Sequence, residues 1–559
     1  MRESSVNLRT TASPSSDVPG SLSASVARSS ATVPLRSKGA VFTREANSVL
    51  NKVEVFETVL FIAVMAGITW LFPRFTTIPV VGSDSGNILA ISRSLIYGDP
   101  DLVIQTQAPP LASVAYSLGL AASGWLPLNL IPLIFAYALI LGLAWYVHRL
   151  SGNYALAAMV LVGFVISPIF WIQNTSLAPY APFIFLGYAG LYLSCGYLLG
   201  KMGPRAGIGG AALLAAALYT FGQGLLFFSV PALCFLILAP NREALGRTFI
   251  VYASLLLLVA PWVVWHLLVG GLSGFEDYPL NWLNSNYVDY INAFWGRDYY
   301  DTPAEYFSTV FRVLKRDLLP LWTWPLIGLG VVSVGRLYGW RAGVFAVAVL
   351  LALSAPVMFR MSPIFARYWY SCLPLLVLLG VAGLAYLVSL LPRREAAFLL
   401  SVCAIAAFPI ANNAADHAYA SAVTRHEIEI QDYEVMAGLI DDSRGIIGRD
   451  SRIQSLVPGN ALYNNVTLNE DDMVTYLSWP SEHEVAAVFE KHDVGWVLLY
   501  NSTGSGNDIQ NRWELTYNLW LVEAAGHEPQ HFRRIEGSPL VEGVYRGQAL
   551  TLYRLRPFD

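Results

Sequence analysis

Apolar runs of about twenty residues recur along most of this chain, and nothing constrains its fold more. A run of that length spans a hydrocarbon core of about 30 Å as an α-helix. Only structures that satisfy their own backbone hydrogen bonds can stay there. The runs fall near 53–72, 126–148, 154–172, 178–200, 206–221, 224–239, 247–269, 318–337, 342–359, 367–391 and 396–413. Composition agrees: 55% of the 559 residues are hydrophobic and 13% are charged. Soluble domains carry about twice that charged share. The expected fold is an α-helical polytopic membrane protein with about 11 transmembrane helices. The stretch 206–239 is read as two short spans, because a single helix there would be about 51 Å long.

Charge sets the expected orientation. Arg36, Lys38, Arg44 and Lys52 precede the first run. With that end inside, the short inner turns carry Arg149, Lys201 and Arg205, Arg242 and Arg247, Arg336 and Arg341, and Arg393 and Arg394. Basic inner turns are the usual topological signal. The N-terminus is therefore expected in the cytoplasm, with 73–125, 270–317 and 414–559 on the outer side.

Three domains are expected. Residues 1–50, rich in Ser, Ala, Thr and Arg, read as a disordered cytoplasmic tail. Residues 51–413 form the membrane domain. Residues 414–559 have ordinary charge content and alternate helical and strand patterns, which suggests a small extracytoplasmic α/β domain. Helices are expected at Ile428–Ile440, Glu482–His492 and Leu515–Gly526, and strands at Trp496–Tyr500 and Ala549–Leu555. Cys195, Cys234, Cys372 and Cys403 all lie in apolar runs and read as small core residues. No Cys/His spacing suits a metal, no cofactor is implied, and no basic patch suits nucleic acid. Gly-rich 207–210 reads as close helix packing rather than a phosphate loop.

The most informative segment is 82–110, expected on the outer side. It reads Gly82-Ser83-Asp84-Ser85-Gly86-Asn87, an amphipathic stretch to Tyr97, Gly98-Asp99-Pro100, then Gln107-Ala108-Pro109-Pro110-Leu111. Capping accounts for much of this: Asp84 suits an N-cap, Gly98 a helix end and the Pro pair a first turn. Capping gives no reason for a carboxylate beside the bilayer with Arg93 a few turns away. The stretch 109–125 reads as an interfacial helix.

At these residues the chain resembles the GT-C superfamily of membrane glycosyltransferases that use polyprenyl-phosphate sugars. That superfamily includes protein O-mannosyltransferases and the aminoarabinose transferase of lipid A. Asp84, Ile91-Ser92-Arg93, Gly98-Asp99 and Pro109-Pro110-Leu111 match the family's first outer loop. Tyr299-Tyr300 with Leu319-Pro320-Leu321-Trp322 resembles its last large outer loop, and Arg367-Tyr368 through Leu373-Pro374-Leu375 its entry to a late span. The resemblance covers about residues 55–413. It departs at Ser85, at Ala108 and at Gln173-Asn174-Thr175-Ser176-Leu177-Ala178-Pro179, where the family often has an acid, a Lys and a second acid.

The resemblance implies an inverting glycosyltransferase at the outer face. Asp84 would be the general base that takes the acceptor hydroxyl's proton. The family's donor-phosphate contacts do not carry over, because of those departures. By their own chemistry the candidates to partner the phosphate are Arg93, Gln107, Arg297, Lys315, Arg316, Arg360, Arg367 and Tyr368, of which Arg367 matches a family motif. For each cation the plain alternative is a snorkelling interfacial residue. Expected partners are a polyprenyl-phosphate-linked sugar, a glycan, lipid or protein acceptor, and membrane lipids. The expected place is the bacterial inner membrane. A transporter or lipid-linked sugar flippase is the rival reading. A non-catalytic scaffold presenting 414–559 is a third.

Overall fold

The computed structural model describes residues 44–72, 110–121, 130–175, 178–277, 302–358, 366–422, 427–448, 470–501 and 530–557. It also describes Ile88, Ser92, Leu95, Ile96, Ile453, Val457, Asn460, 462–463, Leu468, Val522 and 526–528. The chain divides into two units, Met1–Asn51 and Lys52–Asp559. Of the first unit only the start of helix α1 is described. Of the expected disordered tail 1–50, residues 1–43 lie outside the described residues and 44–50 are helical, the start of α1. Most of the expected helix Leu515–Gly526 also lies outside the described residues.

Helix α1 is Arg44–Leu71, and α2 is Pro110–Ala121, opened by the expected proline. Then come α3 (Leu130–Ser151), α4 (Tyr154–Val165), α5 (Pro168–Thr175), α6 (Tyr180–Leu198) and α7 (Pro204–Thr220). Helix α8 (Gly224–Leu233) continues as a π-helical turn over Cys234–Leu238. Next are α9 (Arg242–Asp277) and α10 (Pro303–Val313), which runs into a π-helical turn at Leu314–Leu318. The series closes with α11 (Trp324–Tyr338), α12 (Trp340–Met358), α13 (Ala366–Trp369), α14 (Leu373–Val388) and α15 (Arg393–Ala422). In its described residues every expected apolar run is mainly helical, with 154–172 and 318–337 each interrupted by a bend. The run 206–239 is broken at Phe221, whose backbone is extended (φ −157°, ψ 134°).

Among the described residues six helices are long and apolar enough to cross a membrane, or up to eight if each of two bent pairs counts as one span. The expectation of about eleven exceeds eight by three: Gly224–Leu238 and Trp340–Ala355 are shorter apolar helices, and the 17-residue α7 is also short of a span. Large apolar side chains face outward, with Phe249 at 74% and Leu257 at 75% exposure. In water such a surface would be a liability; against lipid tails it is neutral. Glu57, buried in α1, accepts from Arg393 Nε (3.4 Å) and Nη2 (3.3 Å), so its charge is matched where α15 begins.

Small residues set the closest helix contacts, since lipid tails compete with any other apolar surface. A Cβ on Gly207 would run into the Tyr197 ring, and one on Gly210 into Ser194, so α7 lies tightly on α6. A Cβ on Gly330 of α11 would collide with Leu379 O of α14, and one on Gly383 with Leu326 O.

The C-terminal part adds α16 (Glu427–Leu439), β1 (Gly445–Gly448), β2 (Leu462–Tyr463), α17 (Glu470–Ser478), α18 (Glu482–Lys491), β3 (Val494–Tyr500), α19 (His531–Arg534), β4 (Val541–Arg546) and β5 (Leu550–Leu555). Helix α15 continues past residue 413 to Ala422 before this part begins. The sheet order is β2-β1-β3-β5-β4. The first three strands are parallel, and β5 pairs antiparallel with both β3 and β4. Alternation along the strands loads both faces. Ile446, Trp496 and Leu498 join Tyr433 and Met436 of α16, while Ile447 and Val497 join Tyr476, Val485 and Phe489 of α17 and α18. Buried Asp432 fastens α16 to the β4–β5 turn, accepting from Ala549 N (2.7 Å), Leu550 N (3.0 Å) and Tyr545 Oη (2.9 Å).

Buried His531 donates from Nδ1 to Leu477 O at 3.1 Å. Burial pushes this imidazole down to about 4, against the opposing pull of that hydrogen bond. The unfolded chain binds its proton near 6.5, so stability is present above that pH and is lost as pH falls toward 4. The loss should reach about 3 kcal/mol. Hydrogen exchange in β4 and β5 of the full chain, corrected for intrinsic rates, should show protection falling across this window. In His531→Gln it should stay level.

The α11–α14 crossing gives a second expectation. Gly330→Ala should cost about 1–3 kcal/mol through overpacking. Gly328→Ala should not, because a Cβ there meets nothing within 4 Å. Thermal unfolding of the detergent-solubilised chain measures both.

Candidate functional site

Two helices break inside apolar stretches, and the breaks meet. Pro168 opens a new helix after Ser167, because proline disfavours helical backbone in the residue before it. The pair α4 and α5 bends there by 74°. Pro320 does the same after Leu319, which is extended (φ −145°, ψ 144°), and the chain turns by 93° between Pro303–Leu318 and α11. A break frees backbone carbonyls that hydrocarbon cannot satisfy. Trp171 Nε1 donates to Val165 O at 2.8 Å and closes the first. Ser167 Oγ donates to Leu318 O, so the first break supplies the donor for the second.

Around this junction α5, the turn Leu314–Leu318 and α13 all pack on one another. The turn carries Lys315, Arg316 and Asp317; α5 carries Gln173 and Asn174; α13 carries Arg367, Tyr368 and Trp369. Arg316 is exposed and donates Nε to Asp317 Oδ1 (2.7 Å) and Nη2 to Oδ2 (2.8 Å). Asp317 itself is only 6% exposed. The Arg367 guanidinium lies 5.3 Å from the Tyr368 ring centre, within cation–π range. Asn174 is fully buried, with Nδ2 donating to Phe170 O (2.6 Å) and Oδ1 accepting from Tyr370 Oη (2.9 Å). Trp369 Nε1 is buried without a hydrogen-bond partner among the described residues. Tyr306 of α10 donates to Val357 O near the end of α12, and Tyr188 to Ser371 O (2.8 Å), which pins the surrounding helices.

Among the described residues of this junction, three cations stand against one carboxylate beside an apolar bundle. A π-helical turn at such a place is common at functional sites. The arrangement suits an anion such as a phosphate, for which Arg offers a fork of donors and Lys a point charge. Part of the Arg316 fork is already taken by Asp317.

The sequence-derived candidates Lys315, Arg316, Arg367 and Tyr368 thus come together on elements that touch. Asp84, Arg93, Gln107, Arg297 and Arg360 lie outside the described residues. Their neighbourhood is partly described. The Ser92 hydroxyl lies 2.6 Å from Ile88 O and 2.9 Å from Ser113 O of α2. Tyr116 of α2 donates to Ala178 O at 2.8 Å. Asp317 was not singled out from the sequence, where it follows two basic residues and resembles ordinary charge mixing. Gln173 and Asn174 read as loop; they belong to a helix started by Pro168, which was the available signal.

Three solved structures show the fold. ArnT from Cupriavidus metallidurans in the apo state superposes with a TM-score of 0.56 at 12% identity, over 89% of this chain and 97% of that one. ArnT bound to undecaprenyl phosphate gives 0.50 at 12% identity, with the same coverage of 89% and 97%. The apo oligosaccharyltransferase of Archaeoglobus fulgidus gives 0.50 at 14% identity, over 80% of this chain and 69% of that one. No protein-family model matches the chain, and no curated protein matches it by sequence. The protein is a multi-pass membrane protein with the GT-C fold.

The Asn174–Tyr370 pair yields a test of the junction. Asn174→Ala and Tyr370→Phe should each lower the unfolding temperature. The double variant should fall short of their sum by a coupling of about 1 kcal/mol. Additive shifts would mean that the two side chains do not hold α5 to the turn Tyr370–Cys372 that follows α13.

Proposed function

We propose that this protein is a glycosyltransferase that moves a sugar from a polyprenyl-phosphate donor to an acceptor hydroxyl at the outer face of the bacterial inner membrane. The observation that carries this is the cationic junction of Lys315, Arg316 and Arg367 at the meeting of two broken helices. The GT-C fold supports it, as does the undecaprenyl phosphate bound by ArnT, a protein of the same fold. In this reading the acceptor oxygen attacks the anomeric carbon from the face opposite the phosphate. Its proton passes to Asp84, the bond from the anomeric carbon to the phosphate oxygen breaks, and polyprenyl phosphate leaves as the anion. The centre inverts, and no acid is needed because phosphate leaves unprotonated. Lys315, Arg316, Arg367 and Tyr368, with Arg93, Gln107 and Arg297, hold the donor and its developing charge. The C-terminal α/β domain, on the outer side in this reading, binds the acceptor.

One observation favours the rival, a transporter or flippase of lipid-linked sugar: helices broken within the bilayer are the usual site-building device of transporters. Transfer separates the readings. Membranes with matched amounts of wild type or Asp84→Asn are supplied with labelled polyprenyl-phosphate sugar, and label on acceptor is counted. Wild type should transfer, and Asp84→Asn should lose about 10²–10⁴-fold. Equal transfer by both would remove Asp84 as base. Movement of labelled lipid between leaflets with no transfer would favour the flippase.

A further inference from the structure

A groove of about 600 Å³ runs along the outward face of the α11–α12 hairpin. Its lining includes Gly335 and Gly343, then Val347 and Leu351, and at one end Arg336 and Trp340. The two glycines let the helix backbones nearly touch: a Cβ on Gly343 would sit 3.1 Å from Val331 O and 3.4 Å from the Gly335 Cα. Gly339 makes the turn with φ +91°, a left-handed conformation that favours glycine.

The groove has a polar end and an apolar end. Arg336 and Arg341 flank the turn; both are exposed, and neither has an ion-pair partner among the described residues. Arg336 Nη1 donates to Tyr386 Oη at 2.8 Å, which holds its guanidinium beside the groove and leaves its other N–H groups available. The Arg341 guanidinium lies 5.9 Å from the Trp340 ring centre, and Trp340 is 69% exposed, as an interfacial anchor is. From Trp340 to Leu351 the groove follows α12 for roughly 16 Å at helical rise. One leaflet of a core of about 30 Å is about 15 Å deep.

We propose that this groove is a binding site for one anionic phospholipid. An acyl chain lies along the glycine-floored furrow, and the phosphate and negative headgroup meet Arg336 and Arg341. The match of furrow length to one leaflet, with two uncompensated guanidiniums at its interfacial end, selects a lipid over a second copy of this chain. A second copy would bring the same two positive charges to the same place, since a two-fold interface repeats each patch. On the charge pattern the occupied leaflet is the cytoplasmic one, the opposite side of the membrane from the proposed transfer site.

Native mass spectrometry of the purified full chain tests this, with phosphatidylglycerol and phosphatidylcholine of identical acyl chains added in turn. Wild type should retain one phosphatidylglycerol per chain in preference to phosphatidylcholine. The pair Arg336→Gln and Arg341→Gln should reduce that preference roughly five- to tenfold per charge removed. Val344→Trp, placed in the groove at an exposed position, should lower retention of both lipids while leaving the unfolding temperature unchanged. Equal retention of the two lipids, retention unaffected by the Arg pair, or a dimer that Val344→Trp dissociates would each overturn the site. If Val344→Trp does not fold, the Arg pair decides alone.

Discussion

A backbone carbonyl or N–H in hydrocarbon has no water to turn to, and the rest of this structure follows from that constraint. It cuts the chain into helices and makes every interruption a problem requiring its own partner. The interruptions at Ser167 and Leu319 answer each other, because Ser167 Oγ donates to Leu318 O. Trp171 closes the carbonyl of Val165 with its indole N–H. Once the two breaks are bound together, α5 and the π-helical turn at Leu314–Leu318 are held against α13. The candidate site is therefore a consequence of how the bundle repairs its broken helices.

The same economy governs charge. Glu57 is buried but matched by Arg393, and Asp317 is buried but matched by Arg316 in a two-bond pair. Removing Arg393 or Arg316 would leave a buried carboxylate without its counterion, which costs several kcal/mol. Lys315 and Arg367 are the additional positive charges of the junction. In the C-terminal domain, which buries its apolar surface on both faces of a sheet, the comparable buried carboxylate is Asp432. It is satisfied by backbone N–H groups and a tyrosine hydroxyl, and it works as a fastener.

Much of this was legible from residue order. Apolar runs of bilayer length marked the helices, and the break near Phe221 followed from the length of 206–239 and the basic residues at both its ends. Helices α16 and α18 and strands β3 and β5 lie where the helix–strand alternation placed them. The basic residues Lys315, Arg316 and Arg367 stood out because charge is scarce in such a chain. Asp317 did not, because a carboxylate beside two basic residues looks like solvated surface until its burial is known. Helix α5 was legible only in part: 168–172 fell inside the expected run 154–172, while 173–175 read as loop. The bend at Ser167 and the packing of α5 on two other elements belong to the tertiary structure.

The sequence by itself determined that this is a helical membrane protein with a small α/β domain, because length, hydropathy and backbone satisfaction leave no other solution. It also named most of the charged residues that could hold an anion. Tertiary structure alone decided which of them meet, since the junction joins α5 to elements far along the chain, and the Asn174–Tyr370 pair beside it spans 196 residues. It alone decided where the helices come closest as well. A glycine carries no hydrophobic signal, and Gly330 acquires its role only when Leu379 O lies where its side chain would have been.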